Sequence, residues 1–543
     1  MEKIRKIIDK YILIIVFVFC IPAIRYLFID GYFGVSDDLH IGWLHQMDRV
    51  VEMQQFPPRY VPDLSFGFGY PLFNFVYPLP FYIAEVFHLI GFSLVDSVKI
   101  LMGLTLPVSM FFMYRLLRTY LNEELSLAGG ILYVYAPYRA LEIFVRGSVG
   151  EIVAFVFFPL ILYAILNGKY LILGLSTTLL ILSHNILSFM FFPFVLLLVL
   201  LNRKQFLNNV KGILLGLLGS IYFWLPAIYE SNLFKYDTVF NFYDHYPTLK
   251  QLITPFWGYG ASVPGPYDTM SFYSGLTGVF VMLIALVYFF INIKKYQLTE
   301  KIFLLWSFFL VALSVFMMNH RSVILWENLP LIAYFQFPWR FLAMLTLAYP
   351  LFLVSFKLVK NTKITTVVSL IVIFFAIVTN FNYFKYSEYL GRQDDYYLNR
   401  YIVQETASDE YKKTSEEYLR LPKDNTKRPD KIYPRFYVDE NIYDVSILEM
   451  DSTPMNSNAE VQSPRDFILN YSKYNYPGWQ VKIDGSRVNI LSGKPFGQIS
   501  FNVPSGVHKI EVKYRDTNLK KLLNIISLLT IVYLGVKLIR KND

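Results

Sequence analysis

Charge is scarce in this sequence of 543 residues. Only 17% are Asp, Glu, Lys or Arg, about a third below the roughly 25% of a soluble globular protein. Cysteine is nearly absent as well. The only one, Cys20, excludes an internal disulfide, a secreted disulfide scaffold and any Cys-based metal site. Glycine-rich nucleotide loops, a His-Glu-x-x-His pair and a Ser-centred nucleophile elbow are also missing. Apolar residues take their place, at 55% hydrophobic and 18% aromatic. Runs such as 11–20, 281–291 and 364–377 recur along most of the chain, and about 20 apolar residues suffice to cross a hydrocarbon core. The pattern is that of an integral membrane protein with many spans; a cytosolic enzyme and a disordered chain are excluded.

The net charge of +9 does not point to nucleic acid, because the basic residues fall in short, separated clusters. These are Lys3/Arg5/Lys6/Lys10, Arg115/Arg118, Lys169, Arg203/Lys204/Lys211, Lys294/Lys295/Lys301, Lys357/Lys360/Lys363 and Lys537/Arg540/Lys541. Short basic loops stay on the cytoplasmic side. Residues 1–24 resemble a signal peptide but lack a small-residue cleavage site, so they read as a retained first helix. Both termini are then cytoplasmic and the chain crosses about twelve times. The expected spans are 10–29, 97–117, 125–143, 149–167, 170–184, 186–201, 211–229, 272–293, 302–319, 341–359, 364–382 and 519–537. The run 72–92 is apolar, but its prolines and the charge alternation make it a re-entrant or interfacial helix.

The expected organisation is a membrane module over 1–382 with outer loops 30–96, 230–271 and 320–340, an extracytoplasmic block 383–518, and a last span with its tail over 519–543. From about 431 the block alternates apolar and polar residues. Gln480–Val481–Lys482–Ile483 runs into Asp484–Gly485 as a strand into a turn, and 498–503 and 509–514 repeat the alternation. A small antiparallel β-sandwich closing an α/β-containing domain is the natural reading.

The centres of the expected spans carry no Asp, Glu, Lys, Arg or His, which counts against a coupled transporter. Charges gather instead where helices meet the outer surface, among them Asp37, Asp38, His40, Arg139, Glu142, Arg146, Glu151, His184 and Arg340. Ser36–Asp37–Asp38–Leu39–His40 offers a carboxylate base, or simply a capped helix start. In Arg146–Gly147–Ser148–Val149–Gly150–Glu151, an arginine and a helix start suit a phosphate, or Glu151 pairs with Arg146. His184 in Ser183–His184–Asn185 suits a phosphate oxygen or a polar hairpin. In Gln336–Phe337–Pro338–Trp339–Arg340, Trp339 suits the aromatic belt and Arg340 snorkels to headgroups. Trp257–Gly258–Tyr259–Gly260 has the composition of a sugar-stacking platform or an interfacial anchor.

Together with Gly69–Tyr70–Pro71–Leu72–Phe73–Asn74–Phe75, Phe223–Trp224–Leu225–Pro226 and Tyr476–Pro477–Gly478–Trp479, these stretches resemble a bacterial membrane family. It is labelled 6-pyruvoyl-tetrahydropterin synthase-related, is YfhO-like, and is more distantly similar to GT-C glycosyltransferases. The resemblance implies a GT-C-like polytopic helical fold and transfer of a sugar from a polyprenyl-phosphate donor to a cell-envelope glycan or glycolipid on the outer face, with inversion. It implies Asp37 or Asp38 as base, Arg146, His184 and Arg340 on the donor phosphate, and His40, Glu151, Trp257 and Tyr259 on substrate. If a divalent cation (Mg2+ or Mn2+) takes part, Asp37 and Asp38 would hold it. A flippase would need a polar path through the bilayer. A non-catalytic assembly protein would keep the fold without needing the acids.

Overall fold

The computed structural model describes residues 7–235, 241–263, 268–414, 419–439 and 444–540. The basic residues Lys3, Arg5, Lys6 and Lys541 lie outside the described residues, as do parts of the loop 230–271 and of the block 383–518.

Among the described residues, seven helices are long and apolar enough to cross a membrane: Leu94–Leu117, Val149–Leu166, Leu276–Lys295, Leu298–Met317, Pro338–Leu358, Thr362–Tyr383 and Asn518–Arg540. An eighth is formed if Asn185–Leu201 and Arg203–Gly219, bent by 92°, count as one broken span. The chain is thus a multi-pass helical membrane protein, with fewer full-length spans than the sequence leads one to expect. The shortfall has local causes. The expected span 125–143 is broken into the helices Glu123–Val134 and Pro137–Leu141, because Ala136, ahead of Pro137, is extended. After Pro137–Leu141 the backbone widens into a π turn over Glu142–Arg146. Ile12–Phe28 and Tyr170–Ser183 are apolar but short. Over 72–92 the chain forms only the four-residue Leu72–Phe75 and the eleven-residue Leu79–Leu89. Eleven residues extend about 17 Å, against a hydrocarbon core of about 30 Å.

Small residues bring two helices into close contact. Along Phe206–Gly219, a Cβ on Gly212 would lie 2.8 Å from Leu173 Cβ, and one on Gly216 would lie 2.4 Å from Thr177 Cβ. The helix Tyr170–Ser183 therefore packs against this stripe backbone to backbone, the small-residue packing typical of helices in lipid.

The charge-free span interior does not hold throughout. Arg139 is buried in the bundle rather than set at its surface. Its Nη2 donates to Ser109 Oγ at 3.1 Å, and its guanidinium lies 4.4 Å from the Phe155 ring centre.

The carboxyl-terminal block is β-rich. One antiparallel sheet orders Phe436–Tyr437, Phe467–Tyr474, Gln498–Val503 and Leu491–Gly493. A second orders Ser446–Thr453, Asn456–Ser463, Gly506–Tyr514, Trp479–Ile483 and Ser486–Val488. The register pairs Val512 with Val481 and Ile510 with both Ile483 and Ala459, placing apolar residues on one face. That face meets the first sheet where Tyr471 bonds Ser457 at 2.9 Å and packs on Trp479 at 5.6 Å. Asp484 and Gly485 both have positive φ, 49° and 84°, as a two-residue hairpin of this twist requires.

Three contacts lock this block to the helices. Tyr389–Arg392 pairs with Tyr32–Phe33 as a two-stranded sheet. The Asp394 carboxylate accepts the N–H groups of Leu94 and Val95, at 2.8 and 2.9 Å, capping the helix Leu94–Leu117. Finally, Glu230, Tyr476, Lys520, Asn74 and Arg59 form one buried network, with Lys520 Nζ 3.0 Å from Glu230 Oε1.

Candidate functional site

At the bundle end that carries the β block, four chain turns bring charge together. The segment 36–38 lies along the π turn, where Ser36 N–H donates to Val145 O at 3.1 Å and Asp37 N–H to Arg146 O at 2.8 Å. The π turn adds one residue to the helical circuit and swings Arg146 inward. Gly147 then turns the chain at φ 69°, where a Cβ would meet Val35 Cγ2 at 2.7 Å. Gly150 leaves room for the Tyr77 ring, which a Cβ would strike at 2.3 Å. The spacing Arg-Gly-Ser-Val-Gly-Glu is thus dictated by a reversal and a close ring contact, and it delivers Arg146 and Glu151 to one point.

Glu151 is the hub. Its Oε1 lies 2.8 Å from Arg146 Nη1, 3.0 Å from Arg340 Nε and 3.9 Å from His184 Nε2, while Tyr138 donates to Oε2 at 3.1 Å. Arg146 Nη1 also reaches both oxygens of Glu142, at 2.8 and 2.9 Å. Arg340 spends Nη1 on Phe335 O and Gln336 Oε1, at 2.9 and 2.5 Å. His184 accepts the Leu187 N–H at Nδ1, at 3.1 Å. Its proton therefore sits on Nε2, facing Glu151.

His40 takes the other tautomer. Nδ1 donates to Gly147 O at 3.1 Å and Nε2 lies 3.4 Å from the Tyr77 hydroxyl. Burial holds its pKa below the ordinary 6.5, so it is neutral. Tyr77 in turn packs on His184 at 4.9 Å. Both histidines orient this cluster as uncharged rings.

The adjacent carboxylates diverge. Asp38 occupies the N-cap position of the helix Leu39–Glu52, but its side chain makes no capping bond. It accepts instead from the Tyr401 hydroxyl, with Arg400 Nε at 3.7 Å. Burial raises its pKa above the usual carboxylate range, and these two partners offset that only in part. Asp37 turns the other way, to Arg146 Nη2 at 3.6 Å, with its side chain 29% exposed against 10% for Arg146 and 0% for Glu151. It is the open carboxylate on an otherwise closed ion cluster.

The structure therefore gathers Asp37, His40, Arg146, Glu151, His184 and Arg340, and sets Asp38 beside them. It does not bring in Trp257 and Tyr259. Trp257 stacks on Tyr383 at 4.5 Å and Tyr259 donates to Lys385 O at 3.2 Å. Glu142, Tyr77, Tyr138, Arg400 and Tyr401 join without having been singled out for the site. Glu142 was legible as one of the charges at a helix end, whereas no local signal marks Tyr401, 363 residues from its partner Asp38. As a metal site the pair fits poorly. Asp37 and Asp38 face different cationic partners rather than a shared point, and among the described residues no group of three or more His, Cys, Asp or Glu is arranged around a common centre.

Comparison with known proteins finds no matching family model and no matching curated protein. Fold and site together define a multi-pass helical membrane protein with an antiparallel β region and a buried arginine–glutamate–histidine cluster opened by one aspartate.

Proposed function

We infer that the chain is an inverting membrane glycosyltransferase that moves a sugar from a polyprenyl-phosphate donor to a cell-envelope acceptor on the extracytoplasmic face. The observation that carries this reading is the partly exposed Asp37 carboxylate held 3.6 Å from Arg146. That separation exceeds a hydrogen bond, so Asp37 is not locked to Arg146 and can turn to an acceptor hydroxyl while the guanidinium turns to a phosphate oxygen on the far side of the sugar. In the proposed step, Asp37 takes the proton of the acceptor hydroxyl as its oxygen bonds to the anomeric carbon. The bond from that carbon to the donor phosphate breaks and its electron pair stays on the phosphate oxygen. Arg146, Arg340 and the Nε2–H of His184 offer donors to that growing charge, preorganised by Glu142 and Glu151. Asp38, tied to Tyr401 and Arg400, fixes the start of the helix and hence the aim of Asp37.

The finer architecture belongs to the same reading. The module is GT-C-like, both termini are cytoplasmic, and the short helices Ile12–Phe28, Glu123–Val134 and Tyr170–Ser183 complete the crossings beside the seven or eight long ones. One observation favours a non-catalytic assembly role instead: Glu142 and Glu151 already balance the charges of Arg146 and Arg340. The test is release of polyprenyl phosphate from labelled polyprenyl-phosphate hexoses and N-acetylhexosamines in membranes containing the chain. Release dependent on the wild-type chain and lost in Asp37→Asn supports transfer. Equal release in wild type and Asp37→Asn rules out Asp37 as the base.

A further inference from the structure

A cleft of about 570 Å³ opens between the helix Leu39–Glu52 with its following loop and the β region. Arg49 and Asp63 stand on one wall, and Arg435, Glu449 and Lys473 on the other. The cleft adjoins the Asp38 side of the aspartate pair in two ways. Its wall at Ile402, Val403 and Gln404 follows directly on Arg400 and Tyr401, the partners of Asp38. Along the helix, Asp38, Gly42, His45 and Arg49 recur every three to four residues and so share one face. Tyr401 packs on that face, 3.0 Å from where a Gly42 Cβ would lie. From Asp38 to Arg49 the helix extends about 16 Å.

The lining is polar but nearly self-neutral. Arg49 lies 3.3 Å from Asp63, Arg435 lies 3.6 Å from Glu449, and Lys473 Nζ donates to Pro62 O and Gly67 O at 3.1 and 2.5 Å. An apolar chain here would cover these partly exposed ion pairs and strip their water without offering a polar partner in return. A polyanion would face Asp63 and Glu449. Hydroxyl groups both donate and accept, so a hydroxyl-rich neutral chain matches a wall of alternating cations, carboxylates and the Gln404 amide, with the Tyr433 ring beside them. We propose that this cleft binds the acceptor as a neutral glycan chain, held next to the helix start that carries Asp37 and Asp38. The identity of the ligand as the acceptor rests on the transferase reading; the binding itself does not.

The single native cysteine makes the test clean, because Cys20 is fully buried. Gln404→Cys and, on the opposite wall, Ile432→Cys (Ile432 is 40% exposed) place a lone reactive thiol in the cleft of the full-length chain. Val507→Cys, at a position 57% exposed on the β region and not lining the cleft, is the control. Maleimide labelling is timed with and without the neutral glycan fraction of the native envelope, prepared from a strain lacking this chain. The proposal expects labelling at 404 and 432 to slow about tenfold once the glycan stands near ten times its dissociation constant, with no change at 507. Unchanged labelling at 404 and 432, or equal slowing at all three positions, overturns it. Protection that persists in an Asp37→Asn background shows binding independent of transfer, so failure of the cleft and failure of the catalytic assignment are read separately.

Discussion

On the β region, His508 Nδ1 lies 2.7 Å from Asp484 Oδ2, at the hairpin that Asp484 itself forms. That bond holds the histidine above its ordinary 6.5 and holds Asp484 below the usual carboxylate range. A histidine raised in the folded state contributes stability that is full below the unfolded value and is lost as pH rises through the folded one. The chain should therefore melt at progressively lower temperature as pH rises from about 6.5 through the folded value. Asp484→Asn should flatten that slope, and an unchanged slope in the variant would refute the assignment. At the same scale, Asp37, Arg146, His184 and Arg340 were legible because a charge at the end of an apolar helix is conspicuous. The pairing of Glu151 with Arg146 was legible as one of two readings of that stretch, whereas the other partners were not. The divergence of Asp37 toward Arg146 and Asp38 toward Tyr401 depends on a contact that spans most of the chain, and the aromatics at 257 and 259 lend themselves equally to a sugar platform or to packing on Tyr383.

Among elements, the join between helices and sheets depends on a buried polar network rather than on an apolar interface alone. Glu230 accepts from Asn74 and Tyr476 and pairs with Lys520, and Arg59 bonds Asn74, the Tyr222 carbonyl and Asn524. Removing one member of such a pair leaves the other charge buried and uncompensated, at a cost of about 3–5 kcal/mol. Lys520→Met should lower the melting temperature of the full chain strongly, and the double variant Lys520→Met/Glu230→Gln should recover part of the loss. Additive losses would show that the two charges do not depend on each other. Hydropathy revealed the long helices and alternation revealed the strands at 479–483, 498–503 and 506–514. The broken helix before Pro137 and the π turn after it were hidden, because an apolar run reads alike whether its backbone is continuous or interrupted.

For the whole molecule, the proposed orientation puts the β region and the ion cluster outside and the basic loops within. Because Cys20 is buried, introduced thiols report this directly. A membrane-impermeant maleimide applied to intact cells should label Val507→Cys and spare Lys204→Cys until the cells are opened; the reverse pattern would invert the topology. The central claim, that an open aspartate on a closed cationic cluster transfers sugar to the envelope, is tested most directly in the envelope itself. Its sugar composition should be compared among wild type, a deletion strain and strains carrying Asp37→Asn or Asp38→Asn, with membrane abundance of each variant measured alongside. The account predicts that one sugar is lost in the deletion and in Asp37→Asn present at normal abundance. A deletion defect with both variants indistinguishable from wild type would contradict it and leave the chain a scaffold.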